Sequence, residues 1–235
     1  MHIHINTTHS LIQPYGLMII MSFLAGAAGM YLLNIRKGVQ KSIARYLMIL
    51  LPLMSLFFGT MLTAITSGGK SYGLSSVGGL VGVYASVITM GLISPTKSDM
   101  QTMTETATVI LPLMYSVSKI GCFLAGCCYG FAYDGVFAVE YTGRNAHECA
   151  AFPVQAAETL TFLIIFIIGV RLYIKNKRYA VQVIFITSAL AKCSLDFLRA
   201  SHKGIFISLT QVFCIILAAI GIIWLVMKMK RNNAE

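Results

Sequence analysis

Residues 118–130 read SKIGCFLAGCCYG, with Lys119, three cysteines and three glycines at the end of an apolar run that starts near Ala107. A lysine set among apolar residues in such a run is costly unless it meets a partner or an aqueous cavity. Glu158, Lys192 and Asp196 interrupt later apolar runs in the same way. Inserting one such charge costs about 2.5–3.5 kcal/mol, so four would cost roughly 10 kcal/mol if additive. That cost favours a use beyond packing, and the four charges are expected to face one cavity inside a bundle of membrane helices.

The remaining composition agrees with a membrane bundle. Of 235 residues, 57% are hydrophobic and only 11% are charged, and the mean hydropathy is +0.78. Soluble domains carry about 25% charged residues, and about 20 apolar residues span a bilayer core as a helix. The fold class is therefore all-α, a polytopic membrane protein forming a single transmembrane domain over residues 1–235. Seven spans are expected at about 11–34, 46–66, 79–94, 107–131, 154–173, 179–198 and 205–227. A polar link at 96–105 and an amphiphilic loop at 133–152 separate the middle spans.

The net charge of +10 raises nucleic-acid binding, and its distribution excludes it. Twelve of the 18 Lys and Arg residues fall in four short segments: Arg36/Lys37/Lys41/Arg45, Lys97, Arg171/Lys175/Lys177/Arg178 and Lys228/Lys230/Arg231. Basic loops remain cytoplasmic. With seven spans, this places the N-terminus outside and the C-terminus in the cytoplasm. The outer segments then hold only Lys70, Arg144, Arg199 and Lys203.

No metal or other cofactor is expected. The C-x4-C-C spacing of Cys122, Cys127 and Cys128 lacks the paired pattern of a zinc site. His2, His4 and His9 form a polar head in which an ordered metal site is not expected. No cationic region precedes the first apolar run, so a cleaved signal peptide is not expected either.

Helical geometry sharpens the charged set. Lys192 and Asp196 are four residues apart and Arg199 three further, which puts a +/−/+ ladder on one face of the sixth span. Gln155 and Glu158 share a face near the start of the fifth. Two readings stand side by side: ion pairs that fix helix register, or a polar chamber for an anionic head group. Arg199 and Lys203 are placed at the outer rim. Gly78-x3-Gly82, Gly126-x3-Gly130 and Ser22-x3-Gly26 have the small-xxx-small spacing of close helix contacts. The glycine-dense stretches 73–82 and 121–130 equally fit broken helices or re-entrant backbone.

Over nearly its whole length the chain resembles the prolipoprotein diacylglyceryl transferases of bacterial membranes. PYGLM at 14–18 is similar to the family's first-helix motif with its functional tyrosine, here Tyr15. SSVGGLVGV at 75–83 resembles the stretch in which the family has a histidine before a glycine pair. SKIGCFLAGCCYG resembles the signature G-R-x-G-N-F-x-N-G-E-x-x-G, and FPVQAAE at 152–158 resembles H-P-S-Q-L-Y-E. LDFLRASHK followed by ISLTQ resembles the family's end. There are departures: Val77 at the histidine position, Lys119 and Lys192 for arginines, Cys122 for an asparagine, Cys127 for the glutamate, and Asp196 for a glutamate.

The resemblance implies seven helices with the N-terminus outside. It also implies an enzyme that moves a diacylglyceryl group from phosphatidylglycerol to the cysteine thiol of a prolipoprotein, in the bacterial cytoplasmic (inner) membrane. The catalytic set then reads Lys119, Glu158, Lys192, Asp196, Cys122 and Cys127. Tyr15, Ser76, Gly78, Gly79, Gly130, Gln155 and Arg199 are expected to bind substrate. Partners are the membrane, a phospholipid, and an acceptor peptide or small molecule. Cys122 and Cys127 are expected to line the chamber, as nucleophiles, as a disulfide (Cys127 with Cys122 or Cys128), or as inert thiols. The alternative is a non-catalytic lipid or anion binder, or a transporter, on the same scaffold.

Overall fold

The computed structural model describes residues 2–7, 14–69, 73–143, 147, 149–202 and 206–234. Arg144, Lys70, Lys203 and His9 lie outside them, as do residues 11–13 and Ile205 at the expected starts of the first and last spans. Seven α-helices occur among the described residues: α1 (Pro14–Arg36), α2 (Lys41–Thr66), α3 (Ser76–Ile93), α4 (Lys97–Ala125), α5 (Val154–Ile174), α6 (Ala180–Asp196) and α7 (Leu209–Ala234). Six are long and apolar enough to cross a membrane. The exception is α6, whose 17 residues extend roughly 26 Å at 1.5 Å per residue, just short of a ~30 Å hydrocarbon core.

The side chains left uncovered explain the composition. Ile20 and Leu24 of α1, Phe57 of α2, Leu160 and Ile164 of α5, and Ile215 and Ile223 of α7 are all exposed. Apolar surface on this scale is a membrane-facing surface rather than a water-facing one.

Two expected loops are ordered differently. The polar link at 96–105 is helical, because α4 begins at Lys97. Ser94 Oγ donates to Asp99 Oδ2 at 2.5 Å, and a carboxylate in the first turn suits the positive end of the helix dipole. Met103 and Ala107 bury the inner face of this added turn. The N-terminal head forms β1 (Ile3–Asn6), which pairs in parallel with β2 (Val139–Thr142) in the 133–152 loop. Its residues alternate between apolar and polar, the period of a strand.

The chain divides into two compact units, Met1–Ser22 with Pro112–Glu235, and Phe23–Leu111. Within the second, α2 and α3 meet with almost no space between backbones. A Cβ at Gly78 would stand 2.3 Å from the Phe58 carbonyl oxygen, and one at Gly82 would stand 2.4 Å from that of Met54. This pair is a true close-contact motif. Thr106 Oγ1 donates to Asn34 Oδ1 at 2.7 Å, and Tyr84 and Thr108 share a hydrogen bond at 3.0 Å.

The first unit holds the end of α4 and all of α5, α6 and α7. Here Gly126-x3-Gly130 is not a helix contact. Gly126 ends α4 with φ +70°, and Gly130 lies between two other backbone segments. The Gly130 N–H donates to the Phe152 carbonyl at 3.2 Å, and the Phe131 N–H to that of Leu198 at 3.0 Å. A Cβ at Gly130 would stand 2.5 Å from the Phe152 oxygen, so only glycine fits without backbone movement.

Candidate active site

The site is built from Glu158 outward. Its position on α5 puts the carboxylate, with no side-chain exposure, among three cations. Lys119 Nζ of α4 lies 3.0 Å from Oε2, and Lys192 Nζ of α6 lies 2.7 Å from Oε1. Arg199, just beyond α6, donates through Nη2 to Oε1 at 3.0 Å and to Oε2 at 3.2 Å. Tyr115, one turn before Lys119, donates its hydroxyl to Oε1 at 2.9 Å. The Lys119 and Lys192 ammonium groups also lie 5.0 and 5.7 Å from the centre of its ring.

Asp196 forms a second anionic centre beside the first. Its Oδ1 is 3.4 Å from Lys192 Nζ and 3.6 Å from Arg199 Nε. Its Oδ2 accepts from Ser208 Oγ at 2.6 Å. Gln211 holds Ser208 in place: its Oε1 accepts from the Ser208 N–H at 2.9 Å.

Three cations face two carboxylates, so the described cluster carries one surplus positive charge. Desolvating each ion costs several kcal/mol, and pairing does little more than offset it. Such a cluster is a poor way to gain stability. It is a good way to hold positive charge ready for an anion, because attraction grows as the dielectric falls.

A second layer fixes these elements. The turn after α4 is tied to the end of α6 by the Gly130–Arg199 bridge and by Ala200 N–H donating to the Tyr129 carbonyl at 3.1 Å. Gln155 Nε2 donates to the Cys127 carbonyl at 2.8 Å, while its Oε1 is buried without a partner among the described residues. Tyr141 donates to the Phe123 carbonyl at 3.1 Å. Burial pushes the Tyr141 hydroxyl above its usual range, so it remains a neutral donor.

The structure thus brings Lys119, Glu158, Lys192 and Asp196 into one contact network, with Arg199 inside it rather than at a rim. The carboxylates occupy the space between the cations directly. Tyr15 and Met18 of α1 cross α4 at Gly121, where an added Cβ would stand 2.8 Å from Met18 Cβ and 3.3 Å from Tyr15 Cα. That crossing is one residue from Cys122. All six cysteines are free thiols, so neither suggested disulfide is present. The sulfurs of Cys122, Cys127 and Cys128 lie within 4.8 Å of one another.

Ser76, Gly78, Gly79 and Val77 belong to the other unit. There Gly78 serves the contact with α2, while a Cβ at Gly79 meets no atom of the described residues within 4 Å.

Two contributors escape the sequence reading. Tyr115 stands four residues before Lys119, on the same helix face, so the i,i+4 rule would have found it. Ser208 reaches Asp196 only through the turn between α6 and α7, and no periodicity announces it.

A family model described as prolipoprotein diacylglyceryl transferase matches residues 2–227. Comparison with individual curated proteins found no match. Because the matched segment runs from β1 into α7 and contains every residue of the charged cluster, this chain belongs to the prolipoprotein diacylglyceryl transferase family.

Proposed function

We propose that the chain moves the diacylglyceryl group of phosphatidylglycerol to the cysteine thiol of a prolipoprotein, at the outer leaflet of the bacterial cytoplasmic membrane. The family is one of membrane transferases of lipoprotein biosynthesis; the donor, the leaflet and the roles of individual residues are our reading. The observation that carries it is the surplus positive charge around Glu158. A phosphodiester monoanion brings that sum to zero.

Phosphatidylglycerol enters from the bilayer and its phosphate takes up Lys119, Lys192 and Arg199 in part exchange for Glu158. The acceptor sulfur forms a C–S bond to the terminal glycerol carbon of the diacylglyceryl group, and the C–O bond to phosphate breaks. As the C–O bond breaks, one more negative charge develops on glycerol phosphate than the diester carried, and the thiol proton passes to a carboxylate or neutralises that charge on the departing phosphate. Fixed cations where that charge develops lower the barrier. Glu158 and Asp196 keep the cations in place, with Tyr115 and Ser208 orienting the carboxylates. Tyr15, Gln155 and Gly130 shape the approach, and Cys122 and Cys127 line it.

The orientation, with the N-terminus outside and the C-terminus cytoplasmic, has one support. Basic residues cluster in alternate connections. The pairing of β1, before α1, with β2, after α4, agrees with an even number of crossings between them and bears on the span count, not on which side is outside.

The test uses vesicles of phosphatidylglycerol labelled in the head group and a peptide bearing an acceptor cysteine. Transfer releases labelled glycerol phosphate in step with the peptide's gain in mass. A lipid binder or a transporter on the same scaffold retains or moves the label and releases none.

A further inference from the structure

The three thiols beyond Lys119 have a geometry of their own. α4 ends at Ala125, and the turn through Gly126 carries the chain back on itself. The Cys127 N–H donates to the Cys122 carbonyl at 3.2 Å, which folds Cys127 and Cys128 over the last turn of the helix. Cys128 adopts φ +58°, a left-handed conformation that a non-glycine residue holds only when the surrounding structure fixes it. The backbone around it is secured by Gln155 Nε2 on the Cys127 carbonyl and by the Gly130–Arg199 bridge.

The sulfurs of Cys122, Cys127 and Cys128 all fall within 4.8 Å of one another. Two thiolates bound to one zinc-like ion at about 2.3 Å stand about 4 Å apart, so closing on an ion requires a shift of less than about an ångström. Burial is graded across the set: Cys122 is buried, Cys127 intermediate and Cys128 exposed. An ion therefore has a way in from the side of Cys128. Charge also favours the arrangement. Lys119 stands one turn before Cys122, and three thiolates with a divalent ion sum to −1, opposite to the surplus of the adjoining cluster.

We propose that Cys122, Cys127 and Cys128 form a three-thiolate site for a thiophilic d10 cation of the zinc class, with the fourth coordination position open. Soft thiolate ligands select such ions over calcium or magnesium. Binding displaces three thiol protons and leaves every oxidation state unchanged. Cys122 and Cys127 also line the approach proposed above; metal binding is read without turnover, so failure of one reading is distinguishable from failure of the other.

Cadmium(II) alone is the probe, added to reduced, metal-free full-length protein in detergent under anaerobic conditions. One ion binds per chain, with a cadmium–thiolate charge-transfer band whose intensity matches three sulfurs, and zinc(II) competes it away. Cys122→Ser, Cys127→Ser and Cys128→Ser each weaken binding about 100-fold or more, beyond what loss of a supporting contact causes. Cys149→Ser, Cys193→Ser and Cys214→Ser leave it unchanged. Absence of the band in the wild type overturns the proposal, even if a serine variant fails to fold. A disulfide between two of the three in protein isolated without reductant overturns it as well.

Discussion

Arg199 and Glu158 are 41 residues apart in sequence, yet one guanidinium nitrogen of Arg199 lies 3.0 and 3.2 Å from the two carboxylate oxygens. The contact depends on the end of α6 being tied to the turn after α4, since Arg199 is the residue that bridges Gly130. The segment that fixes the backbone is thus also the one that delivers the third cation. A change at Gly130 should therefore be felt at Glu158.

Replacing Glu158 with Gln leaves Lys119, Lys192 and Arg199 without their common counter-charge. Breaking a buried pair by removing one partner costs about 3–5 kcal/mol. Glu158→Gln should lower stability by that order in denaturant titration of the detergent-solubilised protein. Restoration of stability by added phosphate or phosphatidylglycerol would mark the surplus charge as an anion site. Unchanged stability would mean that the three cations are not held as the structure has them.

Gly78 and Gly79 are adjacent and should behave oppositely. A Cβ at Gly78 meets the α2 backbone at 2.3 Å, whereas one at Gly79 meets no atom of the described residues within 4 Å. Overpacking of this kind costs about 1–3 kcal/mol. Gly78→Ala should lower the midpoint of thermal unfolding by several degrees, and Gly79→Ala should change stability by no more than about 0.5 kcal/mol, as for a surface change. Equal effects would remove the close α2–α3 contact from the account.

The pairing of β1 with β2 should weaken in acid. The hydrogen bond from His2, aided by the charge of His4, holds the Glu140 carboxyl below the usual carboxylate range. A carboxyl whose pKa is depressed by folding contributes stability above its unfolded pKa and loses it as pH falls through the folded value. Asp134, 3.3 Å from His2, is exposed. Amide exchange at Ile3–Asn6 should therefore quicken, relative to its intrinsic rate, as pH drops below the carboxylate range. Glu140→Gln should abolish most of that dependence. An unaltered pH profile in that variant would show that the histidine contacts do not hold the strand.

How much of this was legible follows from the physics of each element. Long apolar runs specify membrane helices nearly by themselves, and six of the seven helices meet that criterion. Spacing alone places Lys192, Asp196 and Arg199 on one face, and the structure joins them to Glu158. The sequence reads Arg199 as a rim residue because it cannot show the strand-like pairing of Arg199 with Gly130. The turn that gathers Cys122, Cys127 and Cys128 depends on left-handed backbone at Gly126 and Cys128, which leaves no periodic trace. The helix from Lys97 reads as a polar link because one buried stripe, with Met103 in it, runs through residues that are mostly polar.

The central claim is that buried cations beside Glu158 grip a phosphate while its diacylglyceryl group departs. Mass spectrometry of an acceptor-cysteine peptide incubated with phosphatidylglycerol and either wild-type or Lys119→Ala protein tests it most directly. The wild type should add one diacylglyceryl group per peptide, and Lys119→Ala, checked as folded, should do so about 100–1,000-fold more slowly, as for loss of one fixed donor to a developing anion. A wild type that leaves the peptide mass unchanged, or a Lys119→Ala protein that keeps pace with it, would contradict the claim.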